Sequence, residues 1–376
     1  MTSPHQVDLA IIGGGCAGLT LGQRLANQPL GRSTIIIEPR ETYHNDRTWS
    51  FWAPCKHPVT HLVSKTWTCW SYGQLHSEPR THCTPHRPYQ CIQSIDFYQW
   101  ANASISASNS VELALGECVE SVDKWANGWL IRTNRRDIKA THVVDTRPPN
   151  KDQLKSVKMF QCFAGQRLKK PGAFKSNQAE LMTDMQADDD GFLFAYVLPL
   201  SSDEALVEAT RFSEKPLPWT TLHKDLDDIK SRRSWREASI LDQEQARLPM
   251  GISPLTHDNS SWVYAGTAAG GLRAASGYGF MRIQRWAQDC HDALQRNGMP
   301  IAHPPEPRFQ AWMDRLFLDV LLKESARVPE LFQTLYANAP VDALVRFMSD
   351  ESSFFDKLHI IRSLPAGPFL RTMVRR

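Results

Sequence analysis

Three glycines and one carboxylate carry the first chemistry legible in the sequence. Gly13-x-Gly15-x-x-Gly18 follows a short apolar run, Leu9 to Ile12, and precedes a helical pattern at Leu19, Leu21 and Leu25. A second apolar run, Thr34 to Ile37, ends on Glu38, 20 residues after Gly18. A strand–helix–strand unit with this spacing holds a dinucleotide. Gly13 permits the tight turn, Gly15 lets the backbone approach a pyrophosphate, and Gly18 lets helix and strand pack closely. Glu38 stands where a ribose hydroxyl is accepted, and the pyrophosphate belongs at the positive end of the helix. The motif lies within the first twenty residues, with no catalytic domain ahead of it. That placement favours FAD over a nicotinamide cofactor, as in enzymes of the glutathione-reductase type.

A second acid stands in Leu206-Val207-Glu208-Ala209-Thr210. On a two-residue period Glu208 shares a face with Leu206 and Thr210, opposite Val207 and Ala209. A carboxyl among apolar groups stays protonated near neutral pH, because desolvation disfavours its charged form. Such a face is either a pocket wall or the wet side of an edge strand. Trp49, Trp52, Trp67 and Trp70 fall within 22 residues; their ring faces suit either a cation-tolerant lining or ordinary core. His57 and His61, and Cys83 and His86, have the separations of metal ligands. Pro54, Pro58, Pro85 and Pro88 break any helix that would align them, so no metal is expected.

The elements that must position these groups follow from composition and periodicity. The chain has 376 residues, a net charge of +3 and 41% hydrophobic residues. That is room for two to three domains, with no basic stripe for nucleic acid. The eight cysteines contain no CxxC pair, and Cys16 sits inside the nucleotide turn. They read as reduced thiols of a cytoplasmic protein. The start has no signal-peptide character, and the longest apolar run, 192–200, is half a bilayer span. Residues 41–92 show little periodicity and read as a long excursion over the cofactor. A helix is expected over 94–105 with Ser94 as its N-cap, and strands over 111–115, 119–124, 128–133 and 138–145. Further strands are expected over 160–165, 192–200, 205–212 and 261–266, with helices over 221–235 and 278–295 and from Arg308 to the end. The fold class is α/β. It comprises a glutathione-reductase-type, Rossmann-like FAD-binding domain over 1–150 with a hairpin insertion, and a sheet-rich substrate domain over 151–258. A return to the first domain follows over 259–298, then a helical C-terminal region over 299–376. After Asp356 the chain has no acid. It has Lys357, Arg362, Arg371, Arg375 and Arg376 among apolar residues, which suits a membrane surface or a tail docked on the core.

Over nearly its full length the chain resembles the bacterial lycopene β-cyclases, a family of FAD-containing carotenoid enzymes. Asp8-Leu-Ala-Ile-Ile-Gly-Gly-Gly15 matches, and Asn45-Asp-Arg-Thr-Trp-Ser-Phe-Trp52 is similar to the family's Asn-His-Thr-Trp-Ser-Phe box. Related segments are 160–166, 181–185, the pair 192–200 and 205–213, Gly266-Thr267, Ser276-Gly277-Tyr278, and the closing Leu-Pro-x-x-Pro-Phe-Leu at 364–370. The chain departs from the pattern at Asp46-Arg47, where the family has one His, and at Leu272-Arg273-Ala274-Ala275, where it has His-Pro-Thr-Thr. Ala209 stands where the family's Ile-Glu-Asp has its second acid, so the Glu is kept without its electrostatic partner.

The resemblance implies a non-redox isomerisation in which linear carotene ends become β-rings, with lycopene as substrate and Glu208 as catalytic acid/base. Reduced FAD would stabilise the carbocation and NAD(P)H would supply the reductant. Gly266 and Gly277 would approach the cofactor, while Trp49, Phe51, Tyr196, Thr210 and Tyr278 would line the substrate. The protein would sit in the cytoplasm against the membrane. Two other readings remain open: an FAD monooxygenase acting on an apolar substrate, and a non-catalytic flavin- or carotenoid-binding component of a biosynthetic complex.

Overall fold

The computed structural model describes residues 4–374; Met1, Thr2 and Ser3, and Arg375 and Arg376 of the basic end, lie outside them. Among the described residues the strands form three sheets. The first grows from the dinucleotide unit. His5–Ile12 pairs in parallel with Thr34–Glu38 on one side and with Asp137–Asp145 on the other, and Val111–Leu115 extends the parallel edge. Parallel strands covered on both faces read as continuous apolar runs, and Leu9 to Ile12 and Ile35 to Ile37 are no more than 2% exposed. The helices Cys16–Asn27, Ser94–Ser106 and Phe280–Asn297 pack Leu21, Phe97 and Trp286 against one face. Trp129 and Ile131 of the hairpin Val119–Trp125 and Gly128–Thr133 cover Ala10, Ile12 and Ile35 on the other.

The second sheet has seven strands. From one edge they are Ser239–Met250, Met159–Lys169, Glu204–Ser213, Gly191–Pro199, Gln178–Asp188, Cys69–Gln74 and Arg80–Cys83. One face packs on the helix Trp219–Arg232, whose Leu226 and Ile229 meet Ala195, Val207 and Ala209. The other face carries Phe192, Phe194, Leu206 and Phe212 and packs against the C-terminal helices. Those helices run Arg308–Lys323, Val328–Asn338, Val341–Met348, Phe354–Arg362 and Ala366–Val374, as the apolar spacing after Arg308 predicts. Among the described residues no helix is long and apolar enough to cross a membrane.

The structure corrects three expectations and adds a strand. Residues 41–92 are not an unstructured excursion. They form the strands Thr48–Trp52, Lys65–Trp67, Cys69–Gln74, Arg80–Cys83 and Tyr89–Gln93, two of which extend the second sheet. Their periodicity is hidden because Trp67, Trp70, Tyr72, Tyr89 and Cys91 are all buried, leaving few polar positions to alternate with. Nor are all the cysteines free. Cys69 and Cys83 face each other across the antiparallel hairpin, Cα atoms 4.0 Å apart, and form a disulfide. A separation of 14 residues gives no sequence signal for it. Ser94 is not the cap of its helix: its hydroxyl accepts from the backbone N–H groups of Asp46 and Arg47 at 3.0 Å each, which ties down the Asn45–Trp52 box. In addition, Ser239–Met250, to which the sequence analysis assigns no element, is a full edge strand paired along the whole of Met159–Lys169.

Candidate active site

One cavity of about 600 Å³ runs from the dinucleotide turn to the second sheet, lined at one end by Gly15, Cys16 and Arg40 and at the other by Glu208 and Glu244. At the first end Gly13 takes φ +101°, a left-handed conformation suited to glycine, and a Cβ on Gly18 would lie 2.0 Å from the Gly13 carbonyl oxygen. A Cβ on Gly15 would meet nothing within 4 Å, because that side opens on the cavity. The helix Cys16–Asn27 starts there with no side-chain cap and no acid in its first turn. Its leading N–H groups and positive end are therefore available to an anion. Glu38, 4% exposed, accepts from the Gly14 N–H at 2.6 Å and from Arg40 Nε at 2.8 Å. A cleared glycine, an uncapped helix end and an anchored carboxylate fit a dinucleotide. The Cys16 thiol, pushed up to about 12 by burial, is a packing group there and no nucleophile.

At the other end three strands lie side by side: Ser239–Met250, Met159–Lys169 and Glu204–Ser213. Gly165 on the central strand is in register with Glu208 on one neighbour and with Glu244 on the other. All three positions share one face. A Cβ on Gly165 would stand 2.8 Å from Glu208 Cγ and 3.3 Å from Glu244 Cγ. Its absence lets the two side chains meet over the central strand, where the Glu208 carboxyl donates to Glu244. Burial raises Glu208 well above the usual carboxylate range, and the neighbouring Glu244 charge raises it further. Burial raises Glu244 as well, but the Thr48 hydroxyl donates to its Oε2 at 2.7 Å and favours its charged form. Both carboxyls are thus raised, Glu208 the further of the two, so a proton shared by the pair favours Glu208.

Aromatic rings enclose the pair. Tyr89 Oη lies 2.9 Å from Tyr196 Oη and 3.1 Å from Tyr278 Oη. The Trp52 ring meets Tyr89 with centroids 4.7 Å apart and Tyr278 at 5.6 Å. Burial pushes all three phenols well above their ordinary range, so they remain neutral. Phe163, Phe194, Phe212 and Phe332 complete an apolar wall.

The residues singled out in the sequence are brought together unequally. Glu208, Thr210, Tyr196, Tyr278 and Gly277 line the cavity, as do Gly15 and Trp49. Gly277 takes φ +71°, and a Cβ there would meet Gln161 Oε1 at 2.6 Å. Gly266 is absent from the lining: its N–H is taken up by His303 Nε2 at 3.0 Å, and its neighbour Thr267 faces the cavity instead. Phe51 packs in the core, stacked on Phe280 with centroids 5.4 Å apart. Strand alternation explains this: Trp49 and Phe51 turn toward the first domain, and Thr48, Ser50 and Trp52 toward the second sheet.

Sequence reasoning missed Glu244, Thr48, Tyr89 and Gly165, whereas Trp52 and Trp70 of the tryptophan cluster do line the cavity. Ala209 in place of an acid reads in the sequence as the loss of Glu208's electrostatic partner, but strand alternation puts that position on the other face. Ala209 faces the helix Trp219–Arg232, on the side of the sheet away from Glu208. The partner carboxyl arrives instead from a strand 36 residues further on. The available signal was the period-two series Glu244, Ala246, Leu248, all of which line the cavity. In the substituted loop, Arg273 is 1% exposed and pairs with Asp314 at 3.2 Å. It anchors the loop to the C-terminal helices while Tyr278 reaches the cavity.

A family model described as lycopene cyclase protein matches residues 8–374. The chain is 26% identical to a lycopene beta-cyclase of Pseudescherichia vulneris, covering 96% of this chain and 95% of that protein. It is 24% identical to a lycopene beta-cyclase of Pantoea ananas, covering 98% and 97%. Among solved structures, a flavoprotein/dehydrogenase from Cytophaga hutchinsonii superposes with a TM-score of 0.62 at 12% identity, covering 99% of this chain and all of that one. The fold is the α/β, glutathione-reductase-type FAD-binding fold expected from the sequence.

Proposed function

The chain belongs to the lycopene cyclase protein family, and from that premise we propose that it closes β-rings at the ends of lycopene by proton chemistry. The observation that carries the reading is Glu208, a buried carboxyl raised well above its ordinary range, in an aromatic cavity that also reaches an uncapped dinucleotide turn. Ring closure needs an acid strong enough to protonate an isolated double bond, without water to capture the cation. Desolvation makes ionisation of Glu208 unfavourable, and the cation formed beside it supplies a partner charge. The neutral faces of Trp52, Tyr89, Tyr196 and Tyr278 stabilise that cation. FAD, held by Gly13, Gly15, Gly18 and Glu38 and kept reduced with electrons from NAD(P)H, supplies further negative charge when bound. Gly277, which lines the same cavity, would approach the cofactor with its backbone.

The substrate is longer than this cavity. A second, apolar cavity of about 230 Å³ lies among the C-terminal helices and shares Ala275, Ser276, Phe332, Tyr336 and Met348 with the first. We assign it to the body of the polyene. Its outer lining includes Trp312, Ile361, Leu370 and Met373, all at least 38% exposed. Beside them Phe309, Phe354 and Phe355 form an exposed aromatic patch next to Arg308, Lys357 and Arg362. An apolar patch rimmed by cations suits an anionic membrane surface, from which an apolar substrate would enter. Flotation with anionic vesicles checks this: the parent should float, and Phe354→Glu/Phe355→Glu should not.

The reaction is tested by expressing the chain in a lycopene-accumulating bacterium beside Glu208→Gln and separating the pigments. Conversion to β-carotene by the parent alone supports the proposal. Conversion by both removes Glu208 from its role. No conversion by soluble, flavin-loaded parent overturns the cyclase reading and favours the monooxygenase, whose mark is substrate-stimulated NADPH oxidation requiring oxygen.

A further inference from the structure

We propose that Glu244 is the base that removes the proton ending ring closure, and that the proton returns to Glu208 across Gly165. This inference rests on the cyclisation reading above. The reaction takes up one proton and releases another at a different carbon, so it needs an acid and a base in one dry site. The two carboxyls are the acidic side chains lining the inner cavity on the sheet face, in register across a single glycine. The groups around them set them apart. Thr48 donates to Glu244 at 2.7 Å, and the positive charge of Arg47 also favours the ionised form of that side chain. The Thr210 hydroxyl also favours the charge of Glu208, but burial and the adjacent Glu244 outweigh it, and the phenols of Tyr196 and Tyr89 nearby stay neutral.

The steps balance. The electron pair of the terminal double bond takes the proton from Glu208 and leaves a tertiary cation. The nearby internal double bond attacks that cation, forming the ring carbon–carbon bond and moving the charge onto a ring carbon. The carbon–hydrogen bond at the ring junction then breaks, its electrons form the ring double bond, and Glu244 takes the proton. The pair now has Glu208 ionised and Glu244 protonated, and transfer along their hydrogen bond restores the start. No oxidant or reductant is consumed.

The test compares Glu244→Gln and Thr48→Val with the parent as flavin-loaded enzymes supplied with lycopene, reading rate against pH and the position of the ring double bond. The parent should show a bell-shaped profile. Glu244→Gln keeps the size and hydrogen-bonding groups of the side chain. It should lose about a hundredfold in rate and the acid limb of the profile, with ring products whose double bond has shifted because another hydrogen is lost. Thr48→Val keeps the carboxyl but removes the donor that favours its charge, so the acid limb should move to higher pH while the alkaline limb stays. A purely structural role would move neither limb. Parent-like rate, profile and product in Glu244→Gln would overturn the inference, as would an unmoved acid limb in Thr48→Val. Failure of the parent to form rings would overturn the cyclisation reading instead.

Discussion

Replacing Gly165 with alanine isolates the geometry of the acid pair without touching either acid. Gly165 has no left-handed φ, so alanine fits the backbone and the sheet. The new Cβ would stand 2.8 Å from Glu208 Cγ and 3.3 Å from Glu244 Cγ. Ordinary contact begins at 3.4 Å, so Glu208 Cγ must withdraw by about 0.6 Å and Glu244 Cγ barely at all. Because the methyl stands between the two flanking side chains, the withdrawal opens the gap between their carboxyls. An acid–carboxylate hydrogen bond runs at about 2.5–2.7 Å, and opening it past about 3.1 Å removes most of its strength. Hydrogen bonds to charged groups contribute about 1.5–3 kcal/mol, which at about 1.36 kcal/mol per tenfold is a rate loss of about ten- to a hundredfold. With its partner withdrawn, Glu208 loses part of what holds its proton, so the alkaline limb of the pH profile should move to lower pH. Anaerobic conversion of lycopene by reduced, flavin-loaded enzyme measures both quantities, with the melting temperature as the control for folding. Parent rate and parent profile in a folded Gly165→Ala would refute the reasoning, because the pair would then need no contact.

Glu208 also makes stability depend on pH in a definite sense. Its folded value lies above the unfolded one, so its contribution is full below about pH 4.3 and is lost as pH rises toward the folded value. Gln does not titrate, so Glu208→Gln should be more stable than the parent above that pH. The gap should widen with pH at up to about 1.36 kcal/mol per unit; denaturant melts across pH 4–8 that run parallel would contradict the burial of a protonated acid. At the dinucleotide turn, Gly15→Val should leave the melting temperature of the flavin-free protein unchanged and abolish flavin retention, since a Cβ there meets only the cavity. Gly18→Ala should instead destabilise the fold itself, because its Cβ would lie 2.0 Å from the Gly13 carbonyl. Equal flavin content in Gly15→Val and the parent, by absorbance of the purified proteins, would place the cofactor elsewhere.

The sequence by itself determined the parts whose physics is local. Gly13, Gly15, Gly18 and Glu38 lie within one strand–helix–strand unit, so their spacing alone specifies the turn, the helix end and the carboxylate. The apolar period after Arg308 likewise sufficed for the C-terminal helices, and the alternation of Leu206, Glu208 and Thr210 for the face that Glu208 shares. What the tertiary structure alone decided is which residues that face meets. Glu244 lies 36 residues from Glu208 and becomes its neighbour only because Met159–Lys169 inserts between their strands with a glycine at the shared register. Cys69 and Cys83, and Trp52 and Tyr89, are likewise joined by strand pairing. The interior aromatic strands of 41–92 lack the polar positions that would mark their period. Spacing along a chain encodes contacts within one element; contacts between strands depend on register, which the packing of whole sheets sets.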